Sequence, residues 1–230
     1  MHTLEPIRAR PETLSERVYD AVRQAVISQR LAPGERVTEA GLAEQLSVSK
    51  TPVREALLRL AHIGLIDMGN ARGACVVEPS AESIREAYEL RSTLETGAAR
   101  LTAERASDGN LEAIAELASA SLEAAQAGDR TRFRELDREF HLAIAAAAGN
   151  ARLHGSIRDV IDLVGALRSR DAPRADASVQ CASQHETIAA ALRDRDPGTA
   201  GDRAREHIDT VKDLVLSTFA GTGDGQAVRQ

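Results

Sequence analysis

The chain has 230 residues, of which 43% are hydrophobic and 28% are charged, and this composition is typical of a folded protein rather than a disordered one. The length suits one large domain or two modest ones. Aromatic residues make up only 2% and Trp is absent, so the core must be built from Ala, Leu, Ile and Val, as in helical bundles.

The net charge of −6 disfavours nucleic acid as a partner at first sight. However, residues 1–78 contain 10 basic and 10 acidic side chains, so the acidic excess lies entirely in the remainder. Because DNA binding needs only a local basic face, the overall charge does not exclude it.

The sequence lacks the signals of membrane insertion and secretion. No apolar run approaches the roughly 18 residues that a membrane-spanning helix needs. The first ten residues carry charges and lack the apolar segment of a signal peptide. Cys75 and Cys181 lie far apart and are expected to be ordinary reduced thiols. These features predict a cytoplasmic protein with no membrane association.

The first two predicted helices are marked by their caps. Thr13 and Glu16 have the spacing of a capping box, and apolar residues at helical spacing carry this helix to about Gln29. Residues 31–34 (LAPG) form a predicted turn. Thr38 then caps a short second helix.

A third helix and a small hairpin complete this region. Ser49 is the predicted cap of the third helix, Pro52 lies in its first turn, and Gly64 ends it. Two short apolar stretches, residues 65–68 and 74–77, flank a turn rich in Gly and Asn and predict a β-hairpin. Three helices and a hairpin within 80 residues predict a winged helix-turn-helix.

The rest of the chain shows helical periodicity only. A linker at residues 78–80 (EPS) separates a predicted domain of residues 1–78 from a second of residues 79–230. Gly, Asp and Pro mark the breaks between helices. The predicted fold class is therefore mainly α, with an all-helical antiparallel bundle behind the winged domain. The predicted helices span residues 80–104, 108–127, 129–148, 151–170, 176–194 and 199–219.

The start of the third helix carries the groups that DNA recognition requires. In a helix-turn-helix the second helix of the motif enters the major groove with its N-terminal residues first. Ser49 and Thr51 can donate hydroxyl groups to phosphate, where the helix N-terminus also favours an anion. Lys50 and Arg54 share one helix face and can reach base edges, guanine above all. For the Lys50 and Arg54 pair alone, a solvated helix face is the alternative interpretation.

The same region resembles the DNA-binding domain of the GntR family of bacterial regulators. The resemblance rests on residues 33–39 (PGERVTE), 48–57 (VSKTPVREAL) and the wing at 70–74 (NARGA). It departs from the family at Ser47, where Gly is usual in the turn, and at Lys50, where Arg is usual and makes a fork that Lys cannot. The resemblance implies a DNA-binding regulator whose candidate contacts are Arg36, Ser49, Lys50, Thr51, Arg54, Arg72 and Gly73.

One carboxylate and three imidazoles recur beside apolar stripes in the second domain. Asp137 and His141 are four residues apart on one helix face, while His185 and His207 each begin or border an apolar pattern on two later helices. If the helices bring them together, they suit a divalent transition metal with positions left for water or a ligand. Spacing alone leaves open that each histidine lies at the core edge or the surface.

The second domain resembles the FCD ligand-binding domain of the FadR branch of the GntR family. The matching motifs include residues 89–95 (ELRSTLE), 137–144 (DREFHLAI) and 205–208 (REHI). In metal-binding members an Asp and three His occupy these positions, so the resemblance implies that Asp137, His141, His185 and His207 hold a metal ion. Zn²⁺ is the first choice, with Ni²⁺ and Mn²⁺ open. Gln184 stands where an acidic residue commonly precedes the His, which weakens a supporting contact but keeps the ligands.

These features together predict a transcription regulator, not an enzyme. We expect a homodimeric repressor that binds an inverted-repeat operator in double-stranded DNA and is controlled by a small organic acid. The metal and Arg91 would hold the acid, although a salt bridge from Arg91 to Glu95 is an equal alternative. A metal-dependent helical-bundle enzyme and a dimerisation module with a structural metal are the competing hypotheses. The chain shows no placed nucleophile or general base, and neither competitor explains residues 49–57.

Overall fold

A computed structural model of the chain describes residues 13–69, 73–168 and 175–223. The chain divides into two compact units, residues 1–78 and residues 79–230. The predicted contact at Arg72 lies outside the described residues. Within the described part, every helix is too short or too polar to cross a membrane.

The first unit is a winged helix-turn-helix, as predicted. Its described helices are α1 (Leu14–Ile27), α2 (Glu39–Leu46) and α3 (Lys50–His62), and its strands are β1 (Arg36–Val37), β2 (Ile66–Asp67) and β3 (Ala74–Val76). The strands form one antiparallel sheet in the order β1-β3-β2. The predicted hairpin corresponds to β2 and β3, but strand β1 was missed because two residues are too short to show an alternating pattern.

Side-chain caps fix the starts of the first two helices. The predicted capping box at α1 is present, since the Glu16 amide donates to Thr13 Oγ1 and the Glu16 carboxylate accepts from the Thr13 amide. Thr38 caps α2 by accepting from the Gly41 amide at 3.0 Å. Helix α1 ends at Ile27, two residues before the predicted end, and Gln29 takes a left-handed φ of 54°.

The start of α3 differs from the prediction in its cap. Ser49 occupies the N-cap position, but its side chain makes no capping hydrogen bond. The tight connection before it depends on Ser47, which ends α2 in the left-handed region with a φ of 54°. An L-amino acid is disfavoured there and Gly is not, which gives a physical reason for the Gly that the family usually has at this position.

The core of the first unit lies between α1, α3 and the sheet. One face of α3 is buried against α1, and the Arg59 guanidinium stacks over the Tyr19 ring at 4.1 Å from its centroid. Because this buried, apolar face fixes the rotation of α3 about its own axis, the opposite face of the helix is exposed to solvent. The buried core residues include Val18, Val22, Val26, Val37, Val53, Ala56, Leu57, Leu60, Ile66 and Val76.

The second unit is an all-helical bundle, as predicted. Its described helices are α4 (Ala81–Arg105), α5 (Asp108–Gln126), α6 (Arg130–Ala147), α7 (Ala151–Leu167), α8 (Ala175–Arg193) and α9 (Pro197–Gly223). Helix α4 packs along α9, and α5 packs against both α6 and α8. Small side chains at the centre let these helices approach closely, and Phe140 is the large aromatic among them.

Three helix ends in the bundle differ from the prediction by two residues or more. Helix α9 ends at Gly223, four residues beyond the predicted end. Helix α9 begins at Pro197 instead of residue 199, because Pro fits the first helical position and Asp196 caps the helix by accepting from the Thr199 amide at 3.1 Å. Helix α7 ends at Leu167, three residues early, and Arg168 takes an extended conformation. This change of direction brings the Arg168 Nε to 2.8 Å from the Tyr88 hydroxyl on α4.

Candidate DNA-binding surface and metal centre

The start of α3 presents the predicted recognition residues on one exposed surface. Ser49, Lys50, Thr51 and Arg54 are exposed, whereas Pro52 and Val53 between them are buried. On strand β1, the side chain of Arg36 is exposed as well. Gly73 is exposed and takes a φ of 78°, a conformation that side chains disfavour, at the start of β3. These positions are compatible with the predicted contacts to phosphates and base edges.

Arg54 has an acidic neighbour within its own unit. Its Nε lies 3.9 Å from the Glu39 Oε1 at the start of α2, and the two side chains are 71% and 40% exposed. An ion pair this exposed contributes about 0–1 kcal/mol. The Arg54 guanidinium can therefore exchange Glu39 for a phosphate or a guanine at little cost.

Four predicted ligands from three helices of the bundle meet in one place. Asp137 and His141 lie on α6, His185 lies on α8 and His207 lies on α9, and one ligand atom from each lies within 4.8 Å of the others. The His207 Nε2 is 3.3 Å from the His141 Nε2. The Asp137 Oδ1 is 3.5 Å from the His185 Nε2 and 3.8 Å from the His141 Nε2. We call these four residues the Asp-His₃ cluster.

The His141 ring is oriented by a buried carboxylate from α4. Its Nδ1 lies 2.5 Å from the Glu95 Oε2, and the other Glu95 oxygen lies 2.5 Å from the Arg91 Nε. The alternative prediction for Arg91, a salt bridge to Glu95, is therefore what the structure contains. Arg91 and Glu95 are only 2% and 6% exposed, so this pair belongs to the core that supports the cluster.

The other two rings are oriented by neutral acceptors. The Ser121 hydroxyl donates to the Ala118 carbonyl at 2.8 Å, so it accepts from the His185 Nδ1 at 3.1 Å. The Gln184 carbonyl oxygen lies 3.1 Å from the His207 Nδ1. Its amide nitrogen donates to the Thr210 hydroxyl at 3.3 Å, and that hydroxyl donates to the Glu206 carbonyl at 2.8 Å, which fixes the orientation of the Gln184 amide.

These contacts determine which nitrogen of each histidine ring is available to bind a metal ion. Because every Nδ1 faces an acceptor, each neutral ring keeps its hydrogen there and directs the bare lone pair of Nε2 into the cluster. Two such lone pairs, on His141 and His207, then face each other across 3.3 Å. Two lone pairs at this distance repel each other, and a cation bound between the two nitrogens would remove that repulsion. The donor set fits a divalent transition metal for that reason.

The electrostatics of the cluster keep the ligands in the forms that a metal requires. Burial lowers the pKa of His185 to about 3, although Asp137 opposes this shift. Burial, followed by the neighbouring His185 and His141, also lowers the pKa of His207 well below its usual range. Burial would raise the pKa of Asp137, but the surrounding imidazoles, Arg168 and Arg91 together hold it below its usual value. At neutral pH His185 and His207 are thus neutral imidazoles and Asp137 is a carboxylate.

The sequence did not predict that three residues, Glu95, Ser121 and Gln184, orient the histidine rings. Glu95 entered the prediction as a partner of Arg91, not of His141, and Ser121 was not considered. Gln184 was noted only as a departure from an acidic residue. Its amide still supplies the acceptor that His207 needs. No local pattern marks Ser121, since its partner His185 lies 64 residues away.

A cavity between α8 and α9 is lined by two residues that contact the cluster. Its volume is about 310 Å³, and its lining includes Cys181 and Gln184 on α8 and Thr210, Asp213 and Leu214 on α9. Gln184 holds His207, and the Cys181 sulfur lies 3.7 Å from the Asp137 Oδ1. This volume is at the lower end of the range for small-molecule sites, about 300–1,000 Å³.

A winged helix-turn-helix followed by a helical bundle with a buried ligand cluster defines a bacterial DNA-binding transcription regulator. Residues 14–76 match the family described as "Bacterial regulatory proteins, gntR family", and residues 86–210 match the FCD domain. The chain therefore belongs to the GntR family, in the FadR-type branch that carries an FCD domain.

Relatives across the whole chain agree with this membership. The chain is 32% identical over 197 residues to the "Nta operon transcriptional regulator" of Aminobacter aminovorans, covering 85% of this chain and 91% of that protein. It is 27% identical over 208 residues to the "HTH-type transcriptional repressor RspR" of Escherichia coli K12, covering 89% and 90%. The solved structure of E. coli McbR/YncC has a TM-score of 0.78 and 25% identity, covering 91% of this chain and all of that one. These relatives are named as transcription regulators, not enzymes.

Proposed function

We propose that this regulator is a repressor whose affinity for its operator is controlled by a small organic acid bound beside a metal ion in the helical unit. The observation that carries the proposal is the set of three Nε2 lone pairs, each directed into the Asp-His₃ cluster by an acceptor on Nδ1. Asp137, His141, His185 and His207 would hold the ion. A bound divalent ion would supply a Lewis acid for a carboxylate oxygen.

The position of the cavity supports a small ligand of this kind. It is lined by Cys181 and Gln184, which contact Asp137 and His207, so a molecule held between α8 and α9 would lie next to the cluster. The buried Arg91 and the half-buried Arg168 also border the cluster, and their positive charges favour an anion there. Because Arg91 is already paired with Glu95, we propose that it contributes charge to the site and that direct contact with the acid would require this pair to rearrange.

For the DNA-binding unit we propose the contacts predicted from the sequence. Lys50 and Arg54 would read base edges in the major groove, while the hydroxyl groups of Ser49 and Thr51 and the side chain of Arg36 would hold phosphates. A homodimer would place two such helices on an inverted repeat, acting in the cytoplasm where bacterial DNA lies. The repressor assignment draws support from a relative that is named as a repressor, RspR of E. coli K12.

Control by the acid requires that it bind the DNA-competent and DNA-incompetent states with different affinities.

We would first measure the metal content of the untagged protein and of a His141→Ala/His207→Ala double variant, after purification with added Zn²⁺. Near-stoichiometric metal in the wild type and its loss in the variant are expected. Absence of metal from the wild type would refute the metal site.

Operator binding would then be titrated with and without a panel of small carboxylic acids. Lys50→Ala is expected to weaken specific binding by about 1–3 kcal/mol, roughly five- to 150-fold. Arg132→Ala, which removes the same charge from an exposed position in the second unit, should leave binding unchanged. An acid that binds the metal-loaded protein without altering operator affinity would contradict the proposed control and favour a structural metal.

A further inference from the structure

A thiol lies at the edge of the Asp-His₃ cluster. Cys181 precedes His185 by four residues on α8, so the two side chains share one helix face. The Cys181 sulfur is 3.7 Å from the Asp137 Oδ1 and 3.9 Å from the His185 Nε2. The sequence predicted only an ordinary reduced thiol here, because nothing in its spacing connects Cys181 with Asp137 on another helix.

These separations are those of atoms that share a metal ion. With bonds of about 2.0–2.2 Å to nitrogen or oxygen and about 2.3 Å to sulfur, two ligands of one ion lie roughly 3–4 Å apart. The separations among Asp137, His141, His185 and His207 that are given above, 3.3 to 3.8 Å, fall in this range. Both Cys181 distances fall in it too. The sulfur is therefore nearly as close to Asp137 and His185 as these two predicted ligands are to each other, at 3.5 Å.

The surroundings of Cys181 leave its sulfur directed toward the cluster. The thiol has a single hydrogen, which points to the Asp137 carboxylate. The nearby His185 Nε2 carries a bare lone pair, because its other nitrogen donates to Ser121. A cation placed among these three atoms would be attracted to a sulfur lone pair, an imidazole lone pair and a carboxylate at once.

We propose that Cys181 is a fifth metal ligand, and that its sulfur makes the site prefer Zn²⁺ and Co²⁺ over Mn²⁺. This inference rests on the proposed metal site. Binding of an ion would release the Cys181 thiol proton to solvent, and the resulting thiolate would hold the ion through a sulfur lone pair. Thiolates favour Zn²⁺ and Co²⁺, whereas Mn²⁺ prefers oxygen ligands. The proposed set of ligands is thus Asp137, His141, Cys181, His185 and His207.

Cobalt(II) is the probe that tests this assignment. The metal-free full-length protein would be titrated with Co²⁺ and followed by absorption spectroscopy, for the wild type, Cys181→Ser and Cys75→Ser. The wild type is expected to show thiolate-to-cobalt charge-transfer absorption in the near ultraviolet in addition to the visible bands of bound Co²⁺. Cys75→Ser should keep both features. Because the chain has two cysteines, Cys181 is then the one thiol that can give the charge-transfer band.

The Cys181→Ser variant should lose the near-ultraviolet band and keep the visible ones. Visible bands without charge-transfer absorption in the wild type would overturn the role of Cys181 and leave the Asp-His₃ site standing. A wild type that binds no Co²⁺ would refute the metal site and this inference together. The Cys75→Ser spectrum decides the question even if Cys181→Ser fails to fold.

Competition with a chelator tests the preference between metals. Cys181→Ser is expected to lower the affinity for Zn²⁺ at least about tenfold, as for the loss of groups that support a metal site. The affinity for Mn²⁺ should change by less than about twofold, because Mn²⁺ gains little from sulfur. Equal losses for the two ions would refute the proposed selectivity.

Discussion

Replacement of Glu95 by Gln tests whether the buried network behind His141 supports both the fold and the metal site. The Glu95 carboxylate is 6% exposed and accepts from the Arg91 Nε and the His141 Nδ1, each at 2.5 Å. Gln retains one acceptor oxygen, so it can satisfy one of these donors, and its amide group then faces the other. The buried guanidinium of Arg91 also loses its counter-charge.

Removal of one partner from a buried ion pair costs about 3–5 kcal/mol. We expect Glu95→Gln to lower the free energy of unfolding of the metal-free protein by about that amount, measured by urea denaturation followed by circular dichroism. Glu135→Gln is the matched control. It breaks the Arg132–Glu135 ion pair at 3.0 Å, in which both side chains are about half exposed, and should cost about 0–1 kcal/mol.

A second variant separates the ion pair from the metal site. Arg91→Met/Glu95→Leu removes both charges, so most of the lost stability should return. Its affinity for Zn²⁺ should stay about ten- to hundredfold below the wild type, because His141 still lacks its acceptor. If Glu95→Gln costs no more than Glu135→Gln, or if the double variant binds Zn²⁺ like the wild type, the reasoning is wrong.

Three further predictions follow from single positions. Ser47→Gly should raise the free energy of unfolding by about 0.5–1 kcal/mol, because Ser47 has a φ of 54° that only Gly adopts without strain. Ser28→Gly is the control and should not raise it, because Ser28 has a φ of −79°. Equal effects of the two substitutions in urea denaturation would contradict the prediction. Gln184→Leu should weaken Zn²⁺ binding about ten- to hundredfold in a chelator competition, because the His207 Nδ1 loses its acceptor; unchanged affinity would count against the role of Gln184. The folded pKa of His185 is lowered to about 3 from a usual 6.5, so the unfolded chain binds an extra proton between those values and stability falls as the pH falls. From pH 6.5 to 5 His185 alone should contribute about 2 kcal/mol to this loss in the metal-free protein; because the pKa of His207 is lowered too, urea denaturation should find the slope about halved in His185→Gln.

The sequence by itself determined the elements whose signals are local. The capping box at Thr13 and Glu16 and the cap at Thr38 depend on groups three residues apart, and both form as predicted. Gly64 follows α3 with a φ of 80°, as its predicted stop. Apolar periodicity likewise determined which face of each helix is buried, and hence that Lys50 and Arg54 face solvent. Such features follow from neighbours along the chain, so the winged helix-turn-helix and the helical bundle could be predicted.

Only the tertiary structure decided the contacts between distant residues. Strand β1 exists because Arg36 pairs with Cys75, 39 positions away, and its two residues carry no pattern of their own. The spacing of Asp137, His141, His185 and His207 left open whether they meet, since periodicity fixes a helix face but not the neighbour that it packs against.

The partners that define the metal centre depend on the same long-range packing. The acceptor for His185 is Ser121 on α5, and the acceptor for His141 is Glu95 on α4. Cys181 gains its proposed role only because α6 brings Asp137 to 3.7 Å from its sulfur. A hydrogen bond between helices depends on the way each helix packs and turns against the others, and the free energy of the whole core sets that arrangement. No single segment of the chain contains this information.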